Sequence, residues 1–132
     1  MNIKDFMVEV VGDTKEVTVT DRFKEPFVIE SITETENDRL KKANTVRLRS
    51  KGGNLVKNLD TDKYGDALVT RCIKEPDLAN SELQGFYGTE GDETATLKAM
   101  LLAGEYSNLM QEILEFNGFD QDDEELKEEA KK

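Results

Sequence analysis

Two stretches decide the fold: LDTDKYGDALVTRCIKEPDL, residues 59 to 78, and MLLAGEYSNLMQEILEFNGFD, residues 100 to 120. In the first, Asp60 or Thr61 can cap a helix whose Tyr64, Ala67, Leu68 and Cys72 share one face at steps of three and four. Pro76 stops it by disfavouring helical backbone at Glu75, and Cys72 falls among the expected core residues. In the second, Met100 and Leu101 complete an apolar stripe begun by Leu97 on a helix capped by Asp92, and Gly104 is expected to interrupt it. Tyr106, Leu109, Met110, Ile113 and Leu114 then recur at helical spacing, and Asn117-Gly118 closes the run because glycine accepts the left-handed conformation.

Working outward, Asn80 or Ser81 opens a short helix carrying Leu83, Phe86 and Tyr87, and Gly88 and Gly91 break the chain after it. Towards the N-terminus the period changes. Glu16-Val17-Thr18-Val19-Thr20 alternates β-branched residues and Pro26 to Ile32 follows a short polar link, which reads as a β-hairpin. A lone hairpin is marginal in water and needs a cover. Thr33-Glu34-Thr35-Glu36 has capping-box spacing and predicts a covering helix through Leu40 and Ala43. The segment VRLRSKGGNLV, residues 46 to 56, reads either as a second, exposed hairpin turning at Gly52-Gly53-Asn54 or as a mobile loop. The expected fold is α+β: a mainly α-helical single domain over residues 1–119, with an N-terminal β-hairpin (about 16–32) packed on a helical bundle and a basic loop or hairpin (about 45–58). Residues 120–132 are expected as an acidic helix or tail.

Composition narrows the function classes. A chain of 132 residues buries roughly two-thirds of its unfolded surface, enough for a core without staples. The formal net charge of -11 repels phosphates and anionic membranes, so neither nucleic acid nor membrane is expected as a partner. Arg39, Lys41, Lys42, Arg47, Arg49, Lys51 and Lys57 are seven bases with no acid between them, leaving -18 on the rest of the chain. Asp120 to Lys132 carries seven acids against three lysines. These blocks read as a solvated surface and a solubilising tail, or as an electrostatic docking surface; the absence of aromatic residues in the basic block disfavours a stacking platform for single strands. The N-terminal MNIKDFMVEVVG has Lys4, Asp5 and Glu9 among its apolar residues and so lacks the uninterrupted apolar run of a signal peptide. One cysteine and no disulfide fit a reducing compartment, the cytoplasm.

No constellation for chemistry emerges. Without histidine the chain has no serine-histidine or cysteine-histidine pair and no imidazole ligand. Asp60-x-Asp62-x-x-Gly65 imitates the start of a calcium loop, yet Tyr64 and Arg71 occupy positions that need oxygen ligands; Asp120-x-Asp122 also fails, because Glu125 stands where the loop needs glycine and Lys131 where it needs its closing glutamate. The paired glycines lack the lysine and hydroxyl of a phosphate loop. Neither catalytic residues, cofactor nor metal are expected, and the reading is a non-enzymatic protein.

The blocks DRFK (21–24), PFVIESITETENDRLKKA (26–43), LDTDKYGDALVTRCIKEPDL, LQGFYG (83–88) and MLLAGEYSNLMQEILEFNGFD, in this order, resemble the XkdN-like tail assembly chaperones of phages and prophages of Gram-positive bacteria. The likeness runs from about residue 21 to 130 and is weakest over Asn44 to Asn58. It implies a protein of the bacterial host cytoplasm, absent from or minor in the finished particle. The implied client is the tape measure protein, a long helical chain prone to aggregate before tube subunits surround it. The tail tube protein and a frameshifted longer form of the chain are further implied partners; codons of the form GCA AAA AAG for Ala130-Lys131-Lys132 would contain a slippery heptamer. A holdase for amphipathic helices needs apolar grooves on a soluble body. Tyr106, Leu109, Met110, Ile113, Leu114 and Phe116 are the candidates for gripping the client if exposed; otherwise they close the core. The rival readings are a minor structural tail protein, at the tube end or in tail completion, and an acidic DNA mimic.

Overall fold

The computed structural model describes residues 1–119. Its backbone follows the local signals closely at the helix starts. Strands β1 (Thr14–Val17) and β2 (Phe27–Glu30) form an antiparallel hairpin, with Val17 opposite Phe27 and Thr14 opposite Glu30, but β1 lies earlier than the expected run Glu16 to Thr20, whose Thr18, Val19 and Thr20 fall outside the strand. Along β2 the side chains alternate: Phe27 and Ile29 are buried, Val28 and Glu30 half-buried, as a sheet with one covered face requires. Helix α1 (Glu34–Ala43) begins at Thr33, whose hydroxyl accepts a hydrogen bond from the Glu36 N–H at 3.2 Å. Only half of the capping box forms, because the Glu36 carboxylate turns to Arg71 instead.

The open reading of residues 46 to 56 resolves as a hairpin, β3 (Thr45–Arg49) with β4 (Leu55–Leu59), separate from the first sheet. Helix α2 (Thr61–Cys72) is capped by the Asp60 carboxylate on the Lys63 N–H. Tyr64, Leu68 and Cys72 are buried as expected; Val69 joins them and Ala67 is only half-buried. The helix ends at Cys72, two residues short of the limit that Pro76 sets. Ile73–Glu75 becomes β5, which pairs antiparallel with β2 and widens the hairpin into a sheet of order β1-β2-β5. The extended backbone that proline imposes on its predecessor and the β-branched Ile73, paired with Ile29, both favour the strand.

Helix α3 (Ser81–Tyr87) is capped by Asn80 and closed by Gly88 at φ +66°. Helix α4 (Glu93–Met100) is capped by Asp92, and α5 (Ala103–Phe116) ends in a Schellman motif, with Phe119 N–H on Leu114 O, Gly118 N–H on Glu115 O and Gly118 at φ +78°. Gly104 does not interrupt the helices. The break lies at Leu101 and Leu102, both extended. Glu105 accepts the Leu102 N–H at 2.8 Å there, and Arg22 clasps Glu105 through two hydrogen bonds of 2.6 and 2.8 Å while reaching the Met100 carbonyl at 3.0 Å.

The core lies where β2, α2, α4 and α5 meet: Phe27, Ile29, Leu68, Cys72, Leu97, Leu109 and Ile113. Polar ties fix its rim. Arg71 holds Glu36 by two hydrogen bonds, of 2.6 and 3.0 Å, and Glu30 by one of 2.6 Å, joining α2 to α1 and β2. The Tyr64 hydroxyl donates to the buried Asn37. Asn117 accepts the Ile32 N–H at 2.9 Å, fastening the end of α5 to the end of β2. The architecture is mainly helical α+β.

Candidate functional site

The α5 stripe goes inward. Leu109, Ile113 and Leu114 are 1%, 0% and 8% exposed, so of the two readings of this stripe the core-closing one applies to them. The reason is geometric: residues four apart on α5 stack on the side that meets α2 and β2. A charge placed at Leu109 or Ile113 would sit in the core, and such a substitution tests folding before it tests binding. The other three keep some surface. Tyr106, Met110 and Phe116 are half-buried. Tyr106 is engaged internally, its hydroxyl donating to Asp66 at 2.6 Å, while Lys98 reaches the other oxygen of Asp66 at 2.7 Å and lies over the Tyr106 ring. Burial, then the hydrogen bond to Asp66, push the phenol above its ordinary pKa. The Met110 methyl packs over Gly65 of α2.

Apolar surface is left uncovered elsewhere. The first thirteen residues are exposed and comprise a 3-10 turn, Ile3–Phe6, and a stretch without regular secondary structure. Ile3, Phe6, Met7, Val8, Val10 and Val11 are each at least 60% exposed. Asp13 and Ser31 bond to each other through backbone and hydroxyl at 3.0 and 2.9 Å, continuing the hairpin beyond β1, and Gly12 passes too close to the Ser31 carbonyl for any side chain. Beyond this point β2 has given way to α1, so residues 6 to 11 overhang the sheet without a partner strand among the described residues. The signal was present in the sequence as the β-branched, apolar run FMVEVV, which the signal-peptide test alone does not bring out. Phe86, expected among the apolar residues of α3, points to solvent at 81% exposed, and Leu102 is also outside.

An open cleft of about 460 Å³ lies at one end of the sheet. Its walls are Phe23, Pro26, Phe27, Pro76 and Met100, with Arg22 at the rim. Phe23 packs on Phe27 at 5.6 Å between ring centres. Arg22 holds Glu105 in its ionised form, the carboxyl pKa falling to about 2, first through that hydrogen bond and then through the Leu102 N–H.

The basic block divides in two. Arg39, Lys41 and Lys42 lie on the last turns of α1, where Lys42 pairs with Asp38 at 3.0 Å. Arg47, Arg49, Lys51 and Lys57 lie on the β3–β4 hairpin. Neither Asp60 nor the single cysteine is free for chemistry of its own: Asp60 caps α2, and the buried Cys72 thiol is pushed up to about 11 by burial, which leaves it protonated at neutral pH.

The sequence profile described as "Phage XkdN-like tail assembly chaperone protein, TAC" matches residues 3–131. Among curated proteins the chain is 33% identical to the uncharacterized protein YqbN of Bacillus subtilis strain 168, covering 92% of this chain and 86% of that one. It is 30% identical to the phage-like element PBSX protein XkdN of the same strain, over 98% and 95%. The crystal structure of YqbN superposes with a TM-score of 0.73 at 26% identity, covering 91% of this chain and 98% of that chain. The match extends across Asn44 to Asn58, where the residue-level likeness is weakest, and across the N-terminal segment as well. The chain belongs to the XkdN-like family of phage tail assembly chaperones.

Proposed function

We propose that this chain binds the tape measure protein of its phage or prophage in the host cytoplasm and keeps it soluble until tail tube subunits assemble around it, without entering the finished particle. Family membership supports the assembly role. The observation that carries the client-holding part is the uncovered apolar overhang, Phe6 to Val11, on an otherwise strongly acidic chain. Clustered exposed apolar side chains are what a protein interaction site presents, and surrounding carboxylates keep a loaded complex in solution. Met7 adds adaptability to varied client side chains. On α5, Tyr106, Met110 and Phe116 retain part of their surface for the client; Leu109, Ile113 and Leu114 support them from the core.

Co-expression with the tape measure protein and affinity capture through a tag on the client tests this. The wild-type chain is expected to be retained. A Phe6→Asp, Val8→Asp, Val10→Asp variant, whose substitutions lie outside the core, is expected to fold and to be lost from the complex. Retention of that variant at wild-type level would remove the overhang from the account; no complex with the wild-type chain would remove the tape measure protein as client.

A further inference from the structure

The β3–β4 hairpin has two unlike faces. Its register pairs Arg47 with Lys57 and Arg49 with Leu55 on one side, and Leu48 with Val56 on the other. Like charges directly opposite each other destabilise a two-stranded ribbon, and this hairpin carries no acid between Thr45 and Leu59 to offset them. Among the described residues none of Arg47, Arg49, Lys51 and Lys57 makes an ion pair or a side-chain hydrogen bond, although acids outnumber bases in the chain by 29 to 18. Among the described residues the net +4 of this exposed ribbon meets no counter-charge.

We propose that the basic face of this hairpin is a docking surface for the chain's own acidic C-terminal segment, Asp120 to Lys132. Three observations select that occupant. The segment carries seven acids and three lysines, a net -4 that matches the hairpin's +4. Five of those acids fall within Asp120 to Glu125, a density that suits the close spacing of Arg47, Arg49 and Lys57 on one face. Reach is sufficient too. Asn117 is fastened to Ile32 beside the start of α1, and the hairpin springs from the end of that helix. Ten residues of helix span roughly 15 Å and a five-residue strand about 17 Å more, whereas thirteen extended residues cover about 43 Å. The contact is electrostatic and exposed, so it is salt-sensitive.

Paramagnetic broadening in the full chain tests the contact. A nitroxide is attached to an Asn54→Cys variant at the hairpin turn; the native Cys72 is buried and resists labelling under folded conditions. At ~0.1 M salt the amide signals of residues 122 to 129 are expected to lose most of their intensity, and to regain it at ~1 M, as the Debye length contracts from about 10 to about 3 Å. Adding Arg47→Glu, Arg49→Glu and Lys57→Glu is expected to restore the signals at low salt with the rest of the spectrum unchanged. Combining those with Glu124→Lys, Glu125→Lys, Glu128→Lys and Glu129→Lys is expected to return the broadening. Full-intensity signals at ~0.1 M would overturn the proposal. Broadening transferred from a labelled to an isotopically enriched, unlabelled copy in a mixture would overturn its intramolecular form.

Discussion

Arg71 performs a task at the residue scale that local patterning does not announce. Its position on the covered side of α2 looks like a misplaced charge until Glu30 and Glu36, 41 and 35 residues away, are brought to it by the fold. Its side chain is 38% exposed, so solvent screens the pairs and their worth is that of hydrogen-bonded surface charges, not of a buried triad. Arg71→Ala is expected to cost about 1–2 kcal/mol, measured by urea denaturation with an unchanged m-value. Glu105 yields a pH-dependent counterpart. Its folded-state pKa, about 2, lies below the ordinary 4.5; its contribution to stability is therefore full above about pH 4.5 and is lost as the pH falls towards 2. The difference in melting temperature between the wild-type chain and Glu105→Gln should be constant from pH 5 to 7 and shrink below about pH 4.5. A constant difference down to pH 2 would show that the Arg22 clasp does not hold Glu105 ionised. Cys72, by contrast, was legible: its place on the apolar face of a capped helix sufficed to put it in the core.

At the scale of elements, what the sequence makes plain is whatever a helix terminus decides within four residues. Thr33, Asp60, Asn80 and Asp92 each sit where a side-chain oxygen meets a free N–H, and each caps its helix. The Asn117-Gly118 ending is of the same kind. Gly118→Ala, with φ at +78°, is expected to cost about 1 kcal/mol through the left-handed penalty, readable as a fall of several degrees in melting temperature; a neutral result would mean that the last turn frays without consequence. Two features escaped local reading for a common reason. Strand β5 exists because β2 offers an edge to Ile73, and the break at Leu101 and Leu102 exists because Arg22, from the β1–β2 connection, secures the first turn of α5. Both depend on partners distant in sequence, and a glycine such as Gly104 is the wrong place to look when the turn is stabilised from outside. The hairpin at residues 45 to 59 was undecidable locally because strand pairing, not turn chemistry, separates it from a loop.

For the whole molecule, the family was recognisable from the order of the blocks because those blocks are the structural ones: β2 with α1, α2 with β5, and α5. The same fact explains why the α5 stripe proved to be mostly interior. A pattern strong enough to carry a likeness is strong because the core requires it, and Leu109, Ile113 and Leu114 are fully employed there. Surface that meets a partner obeys no such period, and the overhang at Phe6 to Val11 stands out only once the sheet is known to end before it. The central claim, that the uncovered segment keeps a long helical client in solution, is tested most directly by the fraction of tape measure protein in the soluble phase of cells that make it alone, with the wild-type chain, or with the Phe6→Asp, Val8→Asp, Val10→Asp variant. The account predicts soluble client only with the wild-type chain. Client equally soluble in its absence, or equally rescued by the variant, would contradict it.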